Sequence, residues 1–162
     1  MITYIGNSAG ANMKRAAQNY AIIGFATGIG FIVFEVVTLG LLYKWLALML
    51  MGGHEEYAAI LEDLFRLYLF ILPFDSLTVI YNGVVKPMLK GKQALILLGF
   101  IYYICGIPLQ WYLTFTLGLQ TKGIWLGCFF DWLVIDICFM ILLWKMDWDA
   151  QLKKILAKLK IE

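Results

Sequence analysis

The stretch "ILPFDSLTVIYNGVVKPMLKG" (71–91) is apolar for a turn or more on both sides of Asp75, and no basic residue lies within four positions of that carboxylate. A charge in the middle of an apolar helix is expensive in hydrocarbon, and acids kept there mark ion, proton or substrate paths. The stretch closes on Lys86 and Lys90, which bound the apolar run on one side.

The rest of the chain has the same character. Its 162 residues are 62% hydrophobic and 15% charged, against about 45–50% and about 25% in a soluble domain. The apolar excess is gathered into four blocks, 19–43, 64–85, 94–117 and 123–144, each near the about 20 residues that cross a bilayer. Together they leave no room for a soluble domain. The expectation is one all-α integral membrane domain over 1–162, with four transmembrane helices and a C-terminal amphipathic helix.

Net charge is only +2, but its placement is informative. Lys14 and Arg15 precede the first block. Lys86, Lys90 and Lys92 separate the second and third, and Lys145, Lys153, Lys154, Lys158 and Lys160 follow the fourth. The intervening "GGHEEYAAILED" (52–63) has no Lys or Arg, and "GLQTKG" (118–123) has one Lys. The positive-inside rule then puts both termini and the middle loop in the cytoplasm, and an even number of spans requires both ends on one side. In the tail "KMDWDAQLKKILAKLKIE" (145–162), Trp148, Leu152, Ile155, Leu156 and Leu159 share one helical face and lysines occupy the rest. That pattern predicts an amphipathic helix over 146–161, lying on the cytoplasmic leaflet against anionic lipid.

Several classes of activity lack their residues. Cys105, Cys128 and Cys138 all fall inside spans without metal-ligand spacing, so they read as small packed residues and no metal is expected. His54 stands alone in an outer loop. No Walker A loop, catalytic triad or nucleophile motif is present, so neither an enzyme nor ATP drive is expected, and no nucleic-acid partner. The first residues, 1–18, are small and polar where the apolar core of a signal peptide would lie.

Polar and helix-bending residues mark each span. In "GFATGIGF" (24–31), Gly24 and Gly28 make a GxxxG pair, the small-residue pattern of packed membrane helices. Glu35, in the outer half of that span, either faces a cavity or reaches to the outer surface. In the second span Pro73 removes a backbone donor and predicts a bend. Asp75 and Asn82 stand seven residues apart and share a face, with Ser76 and Thr78 adding polar groups. In the third span Gly106 and Pro108 predict a second bend. In "CFFDWLVIDICF" (128–139) Asp131 and Asp136 are five apart and point about 140° from each other, so they do not share one narrow site. Glu35, Asp131 and Asp136 are read equally as structural acids.

Four segments resemble the multidrug and toxic compound extrusion (MATE) transporters, in the family's order. "YIGNSAGANMKRA" (4–16) resembles "VGNxLGAxxxxxA". "FDSLTVIYNGVVKPMLKGKQ" (74–93) resembles "FDALQxVLSGVLRGxGxxK". "YYICGIPLQWYLTFTLGLQTKGIWLG" (102–127) is similar to "YYxVGIPLGxxLxFxLGLGxxGLWxG". "MDWDAQ" (146–151) is similar to the "TDWEKQ" of eukaryotic members. The family "LRG" reads Val85–Lys86–Pro87 here, and "PLG" ends in Gln110.

The resemblance implies the last four helices of the C-terminal lobe of a two-lobed transporter, as a fragment or truncated form. It implies that Asp75 occupies the position of an acid that helps form the family's proton and cation site. The family's second key acid lies on a helix that has no counterpart here. The implied activity is cation-coupled antiport of organic cations and xenobiotics, driven by a proton or by Na+, with no cofactor. Asp75, Asn82 and Tyr81 are the candidate site residues, with Glu35, Asp136 and Asp131 behind them and Pro73 and Pro108 as bending points. Desolvation disfavours the charged form of a carboxyl, so Asp75 is suited to alternate between proton and cation. Tyr81, Tyr102, Tyr103 and Trp111 are available for aromatic contact with a cation. The implied partners are the bilayer, a small organic cation, and the absent lobe or a second copy of the chain. The alternative is a membrane subunit that binds a partner and transports nothing.

Overall fold

The computed structural model describes residues 1–88 and 91–159. Lys90 and Lys160 lie outside the described residues, as do the side chains of Lys92, Lys158 and Leu159 and the last residues of the expected 146–161 helix.

Without water, every backbone N–H and C=O must bond within its own segment, so apolar runs of this length form helices. Four helical stretches are long and apolar enough to cross a membrane: Lys14–Leu50, Glu55–Met88, Ala94–Thr116 and Gln120–Trp144. The protein is a multi-pass membrane protein. The expected spans lie within these stretches, save for one terminal residue of the third, but the first two helices run well past them. Helix α2 (Lys14–Leu50) has 37 residues and is roughly 55 Å long, against about 30 Å of hydrocarbon. Helix α3 (Glu55–Met88) begins with the polar turns of 55–63, where Arg66 pairs with Glu62 and Asp63. Gly52 and Gly53, both at positive φ, make the turn that joins α2 to α3.

A short helix precedes the spans. Helix α1 (Ile2–Gly10) ends in a turn at Asn12, φ 58°, a conformation asparagine tolerates. Ile5 and Ala9, one turn apart, are fully buried. They pack with Ala17 and Ala21 of α2, Val84 and Met88 of α3, and Leu152 of the C-terminal helix α7 (Trp148–Leu159). The amphipathic C-terminal helix is thus present, and part of its apolar stripe is seated on the bundle: Leu152 is buried, with Trp148 and Ile155 packed beside it. The Lys14 ammonium donates to Asp149 at 2.5 Å and ties the start of α2 to α7. At the other end, Lys122 reaches Asp63 at 3.5 Å.

The third span changes helix type along its length. Helix α4 (Gly91–Gly99) runs into a π segment, Phe100–Gly106; then come α5 (Ile107–Trp111), a second π segment, Tyr112–Thr116, and, after a turn at Gly118, α6 (Gln120–Trp144). Pro108 sits in the first turn of α5. Its missing N–H frees a carbonyl one turn earlier, and the preceding π segment absorbs the changed register. At Pro73 the outcome differs: α3 continues as α-helix through it.

Helix α3 is central, packing against α1, α2, α6 and α7. Val85 of α3, Ala94 and Ile101 of the third span, and Ile135 and Phe139 of α6 form a second buried cluster. Two small-residue contacts close the packing. A Cβ on Gly28 would meet the Ile80 side chain of α3, so the Gly24–Gly28 face is turned inward in this chain. A Cβ on Gly123 of α6 would stand 2.7 Å from the backbone N of Thr114, and one on Gly127 would strike Gln110. Large apolar side chains point outward instead, Trp144 87% and Leu41 78% exposed, as lipid contact demands.

Candidate functional site

A cavity of about 790 Å³ opens between α1, α2 and α3. This lies within the roughly 300–1,000 Å³ range of small-molecule sites. Glu35 enters from α2, one helical face along from Thr27 and Gly28. Asp75, Ser76 and Tyr68 enter from α3. The Ser76 hydroxyl donates to the Glu35 carboxylate at 2.9 Å and holds it toward α3. Of the two possibilities for Glu35, the cavity is the one realised. Phe31 and Tyr68 supply aromatic wall, and among the described residues no Lys or Arg lines the space. Two carboxylates facing one cavity repel when both are ionised, so a positive group between them relieves the repulsion. The wall can therefore receive a monocation with an apolar body.

Other expected members lie elsewhere. Asn82 does not line the cavity, although two turns separate it from Asp75. Its amide is turned back along α3 and donates to the Thr78 carbonyl at 2.9 Å. Tyr81 packs edge-on to Phe25, ring centres 5.4 Å apart, and tilts against Phe139 at 6.5 Å. Tyr103 and Trp111 point outward, and Tyr102 lies against Trp132. None of the four aromatic residues expected to meet a cation lines this cavity; Phe31 and Tyr68 stand there instead.

The two acids of α6 are separated as their spacing requires. Asp131, 3% exposed, accepts from Gln110 at 3.0 Å, and Gly106 leaves room for its carboxylate. Asp136, 6% exposed, accepts from the Thr78 hydroxyl at 2.7 Å on Oδ1. Its Oδ2 is buried without a partner among the described residues, as is Asn82 Oδ1. Asp75 is within electrostatic reach of Glu35 on one side and of Asp136 on the other. Among the described residues no group of three or more His, Cys, Asp and Glu is arranged to hold a metal.

Three partnerships were not predicted from spacing: Ser76 with Glu35, Thr78 with Asp136, and Gln110 with Asp131. Each links different spans. The sequence carried a partial signal, because Ser76 and Thr78 are polar in an apolar run and Gln110 departs from the family pattern.

Comparison with known proteins bears on the same segments. The family model described as MatE matches residues 1–112. The chain is 27% identical over 146 residues to "Multidrug and toxin extrusion protein 2" of Oryctolagus cuniculus, covering 89% of this chain and 24% of that protein. It is 29% identical over 165 residues to "Protein DETOXIFICATION 37" of Arabidopsis thaliana, 96% of this chain and 31% of that one. With "Protein DETOXIFICATION 22" of Arabidopsis thaliana identity is 33% over 135 residues, 78% and 27%. The chain thus spans a quarter to a third of the length of these curated relatives.

Proposed function

This chain belongs to the MatE family, and on that premise we propose that it forms part of a membrane antiporter that exchanges organic cations or xenobiotics for a proton. The reading is carried by the cavity in which Asp75 and Glu35 meet without a basic residue in the wall. Within the cavity Glu35 supplies a second carboxylate from α2. Asp75 meets the charge of the cation, Glu35 adds to the field, and Phe31 and Tyr68 cover its apolar body. Proton coupling is what the resemblance of "MDWDAQ" (146–151) to eukaryotic members implies; Na+ is the other coupling ion considered. The distribution of basic residues supports a cytoplasmic side for both termini and for the basic stretch 86–92. In this reading the other lobe of a two-lobed transporter, or a second copy of the chain, closes the cavity.

The test is efflux of a fluorescent organic cation from vesicles under an imposed pH gradient. Asp75→Asn is expected to abolish gradient-driven efflux while leaving the helical content intact. Full activity in that variant rejects the role. A second reading, a partner-binding subunit that moves nothing itself, draws on the chain's share of its relatives' length, 24% and 31%. Stable co-purification with another membrane protein and no cation binding favour it.

A further inference from the structure

We propose that the exchanged proton is carried on Asp136, held by the Thr78 hydroxyl across α3 and α6, and that Asp75 is left to meet the organic cation. The proposal rests on the antiport reading for the exchange, and on independent geometry for the proton.

Asp136 is 6% exposed and its two oxygens are treated differently. Oδ1 accepts from the Thr78 hydroxyl at 2.7 Å. Oδ2 is buried and has no donor among the described residues. One turn along α3, Asn82 spends its Nδ2 on the Thr78 carbonyl at 2.9 Å, and its Oδ1 is likewise buried without a donor. Two acceptors on one linked trio therefore lack hydrogens among the described residues, and Val85, Ile135 and Phe139, within three residues of them in the chain, belong to a buried apolar cluster. A buried acceptor left unpaired is costly. A hard metal ion would need more oxygen ligands than these two. A single proton on Oδ2 removes the buried charge and leaves one donor and one acceptor, Asn82 Oδ1, where there were two orphan acceptors.

The ionisable groups that face Asp136 from α3 are Asp75 and Tyr81. From the third span, Tyr102 is hydrogen-bonded to Trp132. On α6 itself, Asp131 is engaged by Gln110 and Cys138 is packed in the apolar cluster. Among the described residues no Lys or Arg joins them. Asp75 and Thr78 are three residues apart on α3, so one helix carries both the cation's acid and the proton's clasp. A cation beside Asp75 offsets its negative charge and makes a second negative charge at Asp136 easier to bear. The O–H bond at Oδ2 then breaks, the electron pair stays on the carboxylate, and the proton leaves to water. By reciprocity, a proton arriving at Asp136 loosens the cation.

Infrared difference spectroscopy on the full chain in lipid nanodiscs tests this. A protonated-carboxyl band is expected at neutral pH in the unmodified chain and in Asp75→Asn, and its loss is expected in Asp136→Asn. Persistence of the full band in Asp136→Asn overturns the proposal. Should that variant not fold, Thr78→Val gives an independent reading: loss of the hydroxyl on Oδ1 shifts the band, and an unmoved band overturns the proposal. Tetraphenylphosphonium added in weak buffer is expected to release roughly one proton per cation bound, and none in Asp136→Asn; no release from the unmodified chain sinks the coupling. A chain with the Asp136 band but no gradient-driven efflux rejects the antiport reading alone.

Discussion

The Ser76 hydroxyl sets the direction of Glu35, so a single small side chain decides whether the cavity has one acid or two. Ser76→Ala removes the donor without changing charge or volume much. A hydrogen bond to a charged group contributes about 1.5–3 kcal/mol, and part of that is recovered because the half-buried Glu35 can take water. Affinity for tetraphenylphosphonium is therefore expected to fall roughly 5-fold, with the melting temperature nearly unchanged. Unchanged affinity in a binding titration would remove Glu35 from the site. Asp75 could be singled out in the sequence because cost alone marks it. Glu35 stands out on the same ground, but its partnership with Ser76 beside Asp75 could not be read, because Glu35 and Ser76 are 41 positions apart, and helical spacing relates residues within one helix only. Asn82 shows the limit of spacing even there: two turns from Asp75, it is drawn off the cavity by its bond to the Thr78 carbonyl.

At the scale of elements, the apolar blocks were legible because hydrocarbon admits few backbone solutions, whereas their lateral contacts depend on which small residues meet. Gly24 and Gly28 attract attention as GxxxG, yet they meet side chains, whereas "GIWLG" (123–127), with the same spacing, sets Gly123 against backbone. Helix α6 approaches the second π segment so closely that a Cβ on Gly123 would meet Thr114 N at 2.7 Å and Leu113 C at 2.8 Å. Backbone atoms cannot rotate aside, so Gly123→Ala must push the two helices apart. Gly30 provides the control, since a Cβ there meets nothing within 4 Å. Alanine is favoured over glycine in a helix by about 1 kcal/mol. Thermal melts in one detergent are expected to place Gly123→Ala several degrees below the unmodified chain and Gly30→Ala at or above it; equal melts would show that α6 does not seat as closely as the structure has it. The tail follows the same logic. Its amphipathic pattern allowed a helix lying in lipid, and only the fold reveals that Leu152 of its stripe has a protein partner in α1.

Across the whole molecule, the two ends of the bundle differ in charge and in what they join. One end gathers α1, the starts of α2 and the end of α3 around α7, with Lys14 bonded to Asp149. The opposite end carries His54, Glu55 and Glu56 and the Lys122–Asp63 contact. Because α2 and α3 are long enough to cross a bilayer with turns to spare, these ends stand in different aqueous phases. The basic residues of 14–15, 86 and 145–154 all fall at the α7 end, and basic loops are retained in the cytoplasm. With Cys105, Cys128 and Cys138 replaced by alanine, single probes Lys153→Cys and His54→Cys are therefore expected to label from opposite sides of sealed vesicles. His54→Cys should react with an impermeant maleimide from outside the cell, and Lys153→Cys only after the membrane is opened. Labelling of both from one side would contradict the span count itself. Reversed sidedness would leave the bundle intact and invert the side from which the proposed antiport would load a cation.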